Sequence, residues 1–406
     1  MWKNAFGWAA AALLALLAAG CTAPLQTVPD DTAQPALVRL APKAFPDFGD
    51  AMAFDGLPYA IGQSQRYLSR LPPDTPFSFG PDTYSAQHLQ ASLSRFLDLI
   101  KARPDPVTLQ RQIAAEYRVY KSPGRSSTAK VLFTGYYEPV LSGSPIRSET
   151  HRHPIYARPD DLVEIDLSRF SDRYAGQQMV GRLEGRSVVP YYDRQQIDDQ
   201  DALAGKAQIL AWIRDPVNLF FLHVQGSGRV VMSDGTTLSV HYAGANGQPY
   251  RSIGRLLIDR GVINREAMSM QAIRGWLRHH PEEMAETLNH NPSYVFFETV
   301  ETGPLGCINV LLTPGRSVAT DRRLFPMSAL AYVTISQPLI DGAGEIQSWH
   351  RLDRFVLNQD TGGAIRGPGR ADLFFGGGPY AETAAGHLKH DGDLFFLVLR
   401  PENEPD

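Results

Sequence analysis

Short apolar runs separated by turn residues recur in this chain without alternating helices, and this pattern restricts its fold more than any other feature. Such runs occupy 131–134 and 217–224 in a stretch from 129 to 250, and 331–335 and 393–399 in a stretch from 294 to 399. Short strands without βα units exclude a doubly wound parallel sheet and favour barrels. We therefore predict a mainly β fold with helical segments.

Two other stretches have apolar residues at the three- and four-residue spacing of helices. The first covers residues 55–120, and the second covers 253–290, where Gly261 suits a helix end and Ser269 suits a helix start. Inside the β stretch, Asp234-Gly235 lies between two apolar runs and predicts a hairpin. The helices are thus expected to flank the strands rather than alternate with them.

The N-terminus has the pattern of an exported lipoprotein. The apolar run 5–19 is too short to span a membrane comfortably, and small residues lead to Cys21 as in a bacterial lipobox. We predict a signal peptide at 1–20, lipidation of Cys21 and a flexible tether over 21–46. Thr22 stands where retention signals commonly place Asp, which favours the outer membrane. The alternative is an ordinary signal peptide with an incidental cysteine.

Composition excludes several function classes. The formal net charge is −4 and there is no Lys/Arg run, so we expect no nucleic-acid partner. Two cysteines exclude a disulfide framework or a Cys-rich zinc module. The histidine pairs lack a third ligand at metal spacing, and the glycine-rich segments lack the residues of a nucleotide site. Neither a metal nor another cofactor is therefore expected.

Three aspartates stand among apolar and glycine residues, unlike most of the acidic residues of the chain. They are Asp321, Asp360 and Asp372. Loss of solvent raises the pKa of a carboxyl group and suits it to act as a general acid near neutral pH. The alternative is that these residues cap turns or pair with Arg322, Arg366 or Arg370.

Seven blocks in the same order resemble the membrane-bound lytic murein transglycosylase A family, over about residues 130–400. The first is Phe133-Thr134-Gly135-Tyr136-Tyr137-Glu138-Pro139. The others are 221–228, 250–254, 269–274, 291–297, 317–322 and 360–365, and Asp372 follows the last. The lipoprotein signal at the N-terminus agrees with this resemblance.

The resemblance implies a double-psi β-barrel domain formed by 47–139 and 299–406. A second, smaller β-barrel domain, 140–298, would be inserted between these segments, with a groove where the two domains meet. The helices within 253–290 would then belong to the insert or to its return path.

The resemblance also implies a function. Peptidoglycan strands would lie in the groove, and Asp372 would be the sole catalytic acid and base, with Thr134 and Asp360 near it. An exo-acting lytic transglycosylase of this kind breaks the bond between N-acetylmuramic acid and N-acetylglucosamine and forms a 1,6-anhydro end. Its partners would be the glycan strands, the membrane and cell-wall synthesis proteins.

Further residues are candidates for substrate contact. Tyr136, Gln225 and Ser227 offer the aromatic and amide contacts of a sugar groove. The alternative for a tyrosine is that its side chain packs in the core. Asp321 is assigned to substrate positioning.

Two other functions stay open. A hydrolase would use Glu138 or Asp321 to activate water and would leave reducing sugars. A non-catalytic lipoprotein would bind peptidoglycan without releasing soluble sugar.

Overall fold

Strands dominate the computed structural model, which describes residues 35–401. In this range the helices are α1 (Leu57–Leu68), α2 (Ala86–Lys101), α3 (Pro106–Glu116), α4 (Arg194–Asp199), α5 (Pro216–Gln225), α6 (Ile253–Asp259), α7 (Met270–His279), α8 (Pro281–Asn289) and α9 (Pro379–His387). The strands are β1 (Val38–Arg39), β2 (Pro76–Phe79), β3 (Asp82–Ser85), β4 (Tyr117–Lys121), β5 (Val131–Glu138), β6 (Val140–Ser144), β7 (His153–Tyr156), β8 (Val163–Asp166), β9 (Gln178–Glu184), β10 (Ser187–Pro190), β11 (Ile209–Ile213), β12 (Ser227–Met232), β13 (Thr237–Ala245), β14 (Val295–Val300), β15 (Ser317–Ala319), β16 (Leu330–Ile340), β17 (Ile346–Asp360), β18 (Arg370–Gly377) and β19 (Lys389–Leu399).

The first barrel combines a strand from before residue 139 with strands from after residue 298. Its strands follow the order β5-β18-β15-β17-β16-β19, and β19 returns to pair with β5. The β5–β18 and β15–β17 pairs are parallel, and the remaining pairs are antiparallel. The predicted barrel fold is confirmed.

The second barrel is formed by the chain between β5 and β15. Its strands follow the order β14-β13-β12-β6-β11-β7, and a bridge between Ala157 and Phe297 joins the two outer strands. The predicted hairpin at Asp234-Gly235 connects β12 to β13. A small sheet of β8, β9 and β10 extends from this barrel.

Helices cover the first barrel as their apolar spacing predicts. In α2 the side chain of Ser85 accepts a hydrogen bond from His88 N and caps the helix, and the apolar stripe of Leu89, Leu93 and Phe96 is buried. Phe96 packs against Phe355 of β17, with the ring centroids 4.9 Å apart. The helical predictions for 55–120 and 253–290 are confirmed, apart from the unpredicted hairpin β2–β3 and the start of β4.

The predicted strand at 217–224 is wrong, because these residues form α5. Asp215 caps this helix by accepting from Val217 N at 2.8 Å, and it ends at Gly226, whose φ is 79°. The helix is apolar all round because Leu219 and Leu222 pack into the second barrel while its other face packs against α6–α8. A short apolar run cannot by itself distinguish a buried strand from such a helix.

The N-terminal predictions fall mainly outside residues 35–401, including the signal peptide and Cys21. The tether predicted to reach residue 46 is shorter than that, because Leu37 is fully buried and β1 pairs with β4. Between residues 35 and 401, no helix is long and apolar enough to cross a membrane. The same residues contain no cluster of three or more His, Cys, Asp or Glu placed to hold a metal ion.

Candidate active site

The parallel pairing of β18 with β5 places Asp372 beside Thr134. The two residues are register partners although 238 positions separate them in the sequence. Thr134 Oγ1 is hydrogen-bonded to Asp372 Oδ1. The side chain of Asp372 remains 16% exposed, so its carboxyl group can be reached from solvent.

Arg370 completes a cluster with these two side chains. Its Nε donates to Asp372 Oδ1 at 3.3 Å, and its Nη2 donates to Thr134 Oγ1 at 3.0 Å. Residues two apart on a strand point to the same face, whereas Ala371 between them is buried. From the sequence, Arg370 is predicted only as an alternative partner of the aspartates, since its contact with Asp372 depends on the formation of β18.

Asp360 ends β17 on the far side of β15. Both Asp360 and Asp372 are register partners of Ala319, so their Cα atoms are about 10 Å apart across two strand spacings. Burial raises the pKa of Asp360 to about 6, against the effect of backbone N–H groups that donate to its Oδ1. These donors are Thr361 N at 2.8 Å and Cys307 N at 2.9 Å.

Tyr136 is on the same face of β5 as Thr134, and its hydroxyl is close enough to both aspartates to be affected by their charges. Its ring packs on Phe374 with the centroids 5.1 Å apart. Burial and then the charge of Asp360 raise the pKa of the Tyr136 hydroxyl. The residue is only half-buried as a whole, so it contributes both to packing and to the wall of the site.

Asp321 does not join this cluster. It is completely buried, and it accepts hydrogen bonds from Arg323 and from Gly367 N. Burial acts to raise the pKa of Asp321, but these hydrogen bonds outweigh burial and the pKa is lowered. Direct substrate contact by Asp321 stays a prediction, whereas the visible contacts hold the loop that precedes Arg370.

Gln225 and Ser227 lie farther along β5, towards the second barrel. Gln225 Oε1 accepts from Tyr137 N at 3.0 Å, and Ser227 begins β12. Tyr137 follows Thr134 by three residues, which corresponds to about 10 Å along a strand. A glycan that contacts Gln225 or Ser227 while it is bound at Asp372 must therefore be several sugar rings long.

Glu138 is the last residue of β5 and forms an ion pair with Arg229 of the second barrel. Its side chain is 6% exposed and lies 3.0 Å from Arg229 Nε. Burial raises the pKa of Glu138, while Arg229 opposes this shift. The residue is four positions from Thr134, about 13 Å along the strand.

Tyr250 of the second domain is close enough to Arg370 for the two groups to interact electrostatically. Burial of its phenol raises the Tyr250 pKa, and the positive charge of Arg370 acts in the opposite direction. Tyr250 belongs to the 250–254 block, but nothing in the sequence alone distinguishes it as a site residue. We call the region around Asp372, Arg370 and Tyr250 the groove.

Family models match both parts of the described structure. The MltA specific insert domain matches residues 132–298, and the 3D domain matches residues 316–398. The first range contains the strands of the second barrel except the end of β14. The second contains Asp321, Asp360, Arg370 and Asp372.

Similar proteins share most of the chain. Membrane-bound lytic murein transglycosylase A of Escherichia coli K12 is 35% identical over 285 residues, which are 70% of this chain and 69% of that protein. The protein of the same name from Vibrio cholerae is 33% identical over 306 residues, 74% of this chain and 73% of its own length.

Solved structures give the same result. A membrane-bound lytic murein transglycosylase from Agrobacterium tumefaciens has a TM-score of 0.73 at 31% identity, covering 90% of this chain and 98% of its own. MltA of E. coli with bound chitohexaose has a TM-score of 0.67 at 28% identity, covering 90% and 95% of the two chains. The chain belongs to the membrane-bound lytic murein transglycosylase A family.

Proposed function

We propose that this chain is a lytic transglycosylase of peptidoglycan in which Asp372 is first the acid and then the base. Family membership supports the reaction class, and the chitohexaose bound to the similar E. coli protein supports a glycan as the ligand. The bond broken would join N-acetylmuramic acid to N-acetylglucosamine.

The accessibility of Asp372 is the observation that carries the assignment. Its Oδ1 is held by Thr134 and Arg370, and within residues 35–401 its Oδ2 accepts no hydrogen bond. The other two acids considered, Asp321 and Glu138, are buried and ion-paired. Only Asp372 among these three therefore offers a partly exposed carboxyl oxygen for proton transfer.

The first step breaks the glycosidic bond. Asp372 donates its proton to the oxygen that links the two sugars, and the bond from muramyl C1 to that oxygen breaks. The N-acetylglucosamine fragment leaves with the donated proton as its new hydroxyl hydrogen. Asp372 is then ionised.

The second step closes a ring within the muramyl unit. Its 6-hydroxyl attacks C1, and the ionised Asp372 removes the hydroxyl proton, which restores the acid. Because the nucleophile is tethered to the reacting carbon, the entropic advantage of intramolecular attack replaces the second carboxylate of a hydrolase. No water is consumed, and the product carries a 1,6-anhydro end.

The remaining site residues are proposed to hold the glycan. Tyr136 and Asp360 interact electrostatically with Asp372, whereas Gln225 and Ser227 lie towards the second barrel, so the two sets would contact different sugar rings. Asp321 would act on substrate only through the loop it holds. We also propose cell-wall synthesis proteins as partners.

Digestion of purified murein sacculi tests the assignment. The wild-type chain should release muropeptides with 1,6-anhydro ends, and Asp372→Asn should release none above background while still binding sacculi. Asn keeps the size and polarity of Asp but transfers no proton, and general acid–base catalysis contributes about 10²–10⁴-fold or more when one group serves both steps.

Asp259→Asn, on the surface of α6, is the matched control and should be fully active. Reducing ends from the wild-type chain would establish a hydrolase instead, and binding without soluble product would establish a non-catalytic lipoprotein. Asp372→Asn with more than about a tenth of wild-type activity and normal folding would rule out the single-aspartate mechanism.

We further propose that acylated Cys21 anchors the chain to the outer membrane. An anchor of two or more acyl chains is stable because each buried CH₂ contributes about 0.8 kcal/mol. Cys21→Ala should move the protein from the membrane fraction to the soluble periplasmic fraction. A wild-type protein that already fractionates as soluble would contradict this proposal.

A further inference from the structure

Arg370 contacts both partners in the Thr134–Asp372 pair, and neither contact is accounted for by binding of the glycan. Its Nη2 donates to Thr134 Oγ1 at 3.0 Å, and its Nε donates to Asp372 Oδ1 at 3.3 Å. A guanidinium has only donors and holds them in one plane, so it can serve two acceptors at once.

The contact between Arg370 and Thr134 fixes the direction of the next hydrogen bond. The hydroxyl of Thr134 has one hydrogen and accepts on its lone pairs. Because Arg370 donates to this oxygen and has no lone pair to receive a proton, the hydroxyl hydrogen is left for Asp372 Oδ1. The three groups thus form a one-way series of donors that ends on Oδ1.

The two carboxyl oxygens of Asp372 consequently differ. Oδ1 receives hydrogen bonds from Thr134 and from Arg370, which occupy its two lone pairs. A proton carried by the carboxyl group therefore resides on Oδ2. We propose that Arg370 is a positioning residue that reserves Oδ1 as an acceptor and makes Oδ2 the atom that gives and takes the catalytic proton.

This inference rests on the proposed function and adds an atomic assignment to it. In the first step the proton leaves Oδ2 for the glycosidic oxygen as the C1–O bond breaks. In the second step Oδ2 receives the proton of the 6-hydroxyl as the new bond to C1 forms. Arg370 takes no part in either bond change but keeps Oδ2 aimed at both oxygens in turn.

The backbone makes this arrangement rigid before substrate arrives. Arg370 and Asp372 share a face of β18, and the register of β18 with β5 sets the position of Thr134. The residue before Arg370 is also tightly held, because a Cβ added at Gly369 would lie 2.3 Å from Arg125 Cγ. A misplacement of about 1 Å in such a site can reduce the rate about 10²-fold.

Steady-state kinetics on a soluble glycan substrate test the role of Arg370. Arg370→Gln should lower kcat by about 10²-fold and change KM by less than about threefold, because the lost contacts orient the acid rather than bind sugar. Arg370→Lys should retain part of kcat. Millimolar guanidinium should restore part of the activity of Arg370→Ala.

Arg366→Gln is the matched control, since Arg366 is exposed in the same loop. It should have wild-type kinetics with and without guanidinium. An Arg370→Gln variant with wild-type kcat would overturn the inference, and so would a raised KM with unchanged kcat, which indicates substrate binding. Loss of activity that follows a lowered melting temperature and resists guanidinium would also overturn it, since it indicates a purely structural role.

The proposed function is judged separately in the same experiment. If the wild-type chain forms no anhydro ends, the proposed function fails and this inference fails with it. If wild type is active and Asp372→Asn is inactive while Arg370→Gln is unaffected, only the assignment of Arg370 is wrong.

Discussion

The ionised carboxylate of Asp360 destabilises the folded state at neutral pH. Burial raises its pKa from 3.8 to about 6, so folding is favoured by the protonated form. The associated stability is fully present below pH 3.8 and is lost as the pH rises through about 6. A shift of about two units corresponds to about 3 kcal/mol at pH 7.

Asp360→Asn should therefore stabilise the fold at pH 7. The amide is uncharged, and its oxygen can still accept from Cys307 N and Thr361 N. We expect the free energy of unfolding to rise by about 2–3 kcal/mol at pH 7 and to match wild type below about pH 4. Denaturant titrations at both pH values measure this difference.

Asp259→Asn is the control, since its exposed ion pair contributes little at either pH. A difference between Asp360→Asn and wild type that is the same at both pH values would show that the charge of Asp360 is not the cause. We also expect anhydro-product release to fall less in this variant than in Asp372→Asn, because Asp360 does not transfer the proton.

Some residues of the site can be identified from the sequence, whereas others cannot. Asp360 and Asp372 stand out because apolar residues and glycines surround them, and resemblance to a family adds Thr134. The N–H of Cys307 that binds Asp360 has no local signal, because it comes from 53 positions away through the packing of the barrel. Such contacts depend on tertiary structure alone.

At the scale of elements, the loop between β17 and β18 determines the position of Arg370, the first residue of β18. Three hydrogen bonds hold its last residues, namely Gly367 N to Asp321 Oδ2 at 2.9 Å, Ser122 Oγ to the Pro368 carbonyl at 2.7 Å, and Leu132 N to the Gly369 carbonyl at 2.8 Å. Asp321 is the charged member of this set, so it connects a buried side chain to the position of the active site.

Asp321→Ala should release this loop. The change leaves Gly367 N without its acceptor, which costs about 1–3 kcal/mol, whereas Arg323 is exposed and can bind water instead. The lowered pKa of Asp321 means that its stabilisation is present above pH 3.8 and is lost as the pH falls below it, so the measurement belongs at pH 7. The melting temperature and kcat should both decrease.

Arg323→Ala separates the loop contact from the ion pair. It removes the partly exposed arginine but leaves Gly367 bonded to Asp321, so we expect kcat to stay close to wild type. Equal losses of kcat in Asp321→Ala and Arg323→Ala would show that the ion pair, and not the loop contact, matters for activity.

Elements are predictable where local periodicity is strong and not where partners are distant. The stripe of α2 and the turn residues at Asp234-Gly235 specify their structures locally. By contrast, nothing local in β18 specifies parallel pairing with β5. The sequence of α5 predicts a strand because two faces of this helix are buried, so its apolar residues form a continuous run. Both features require knowledge of the whole molecule.

At the scale of the whole molecule, Arg274 on α7 connects the second domain to the first barrel. Its Nη2 donates to the Tyr137 hydroxyl at 3.1 Å, and its Nη1 lies 3.6 Å from Glu382 on α9. The side chain also lies over the Phe221 ring at 4.6 Å. One buried cation thus contacts residues of both the second domain and the first barrel.

Arg274→Ala should loosen the junction between the domains. We expect a loss of about 1–3 kcal/mol in unfolding free energy, because the buried Tyr137 hydroxyl loses its partner, whereas Glu382, whose side chain is 39% exposed, stays in contact with water. KM for long glycans should increase more than KM for short ones, since only long glycans span both barrels. Calorimetry and kinetics with glycans of defined length measure the two effects.

Arg278→Ala on the same helix is the control, because Arg278 is 59% exposed and its ion pair with Asp215 is 3.9 Å long. It should leave stability and KM unchanged. Equal effects of the two substitutions would contradict a specific role for Arg274.

Closure of the first barrel by β19 has a consequence for the order of events during biosynthesis. β5 precedes the insert, whereas both of its neighbours, β18 and β19, come from the end of the described chain. Contacts over such a separation form late, because the long intervening loop must first be closed. A chain that is still emerging therefore holds Thr134 without Asp372, so this pair of side chains forms only after β18 has been synthesised.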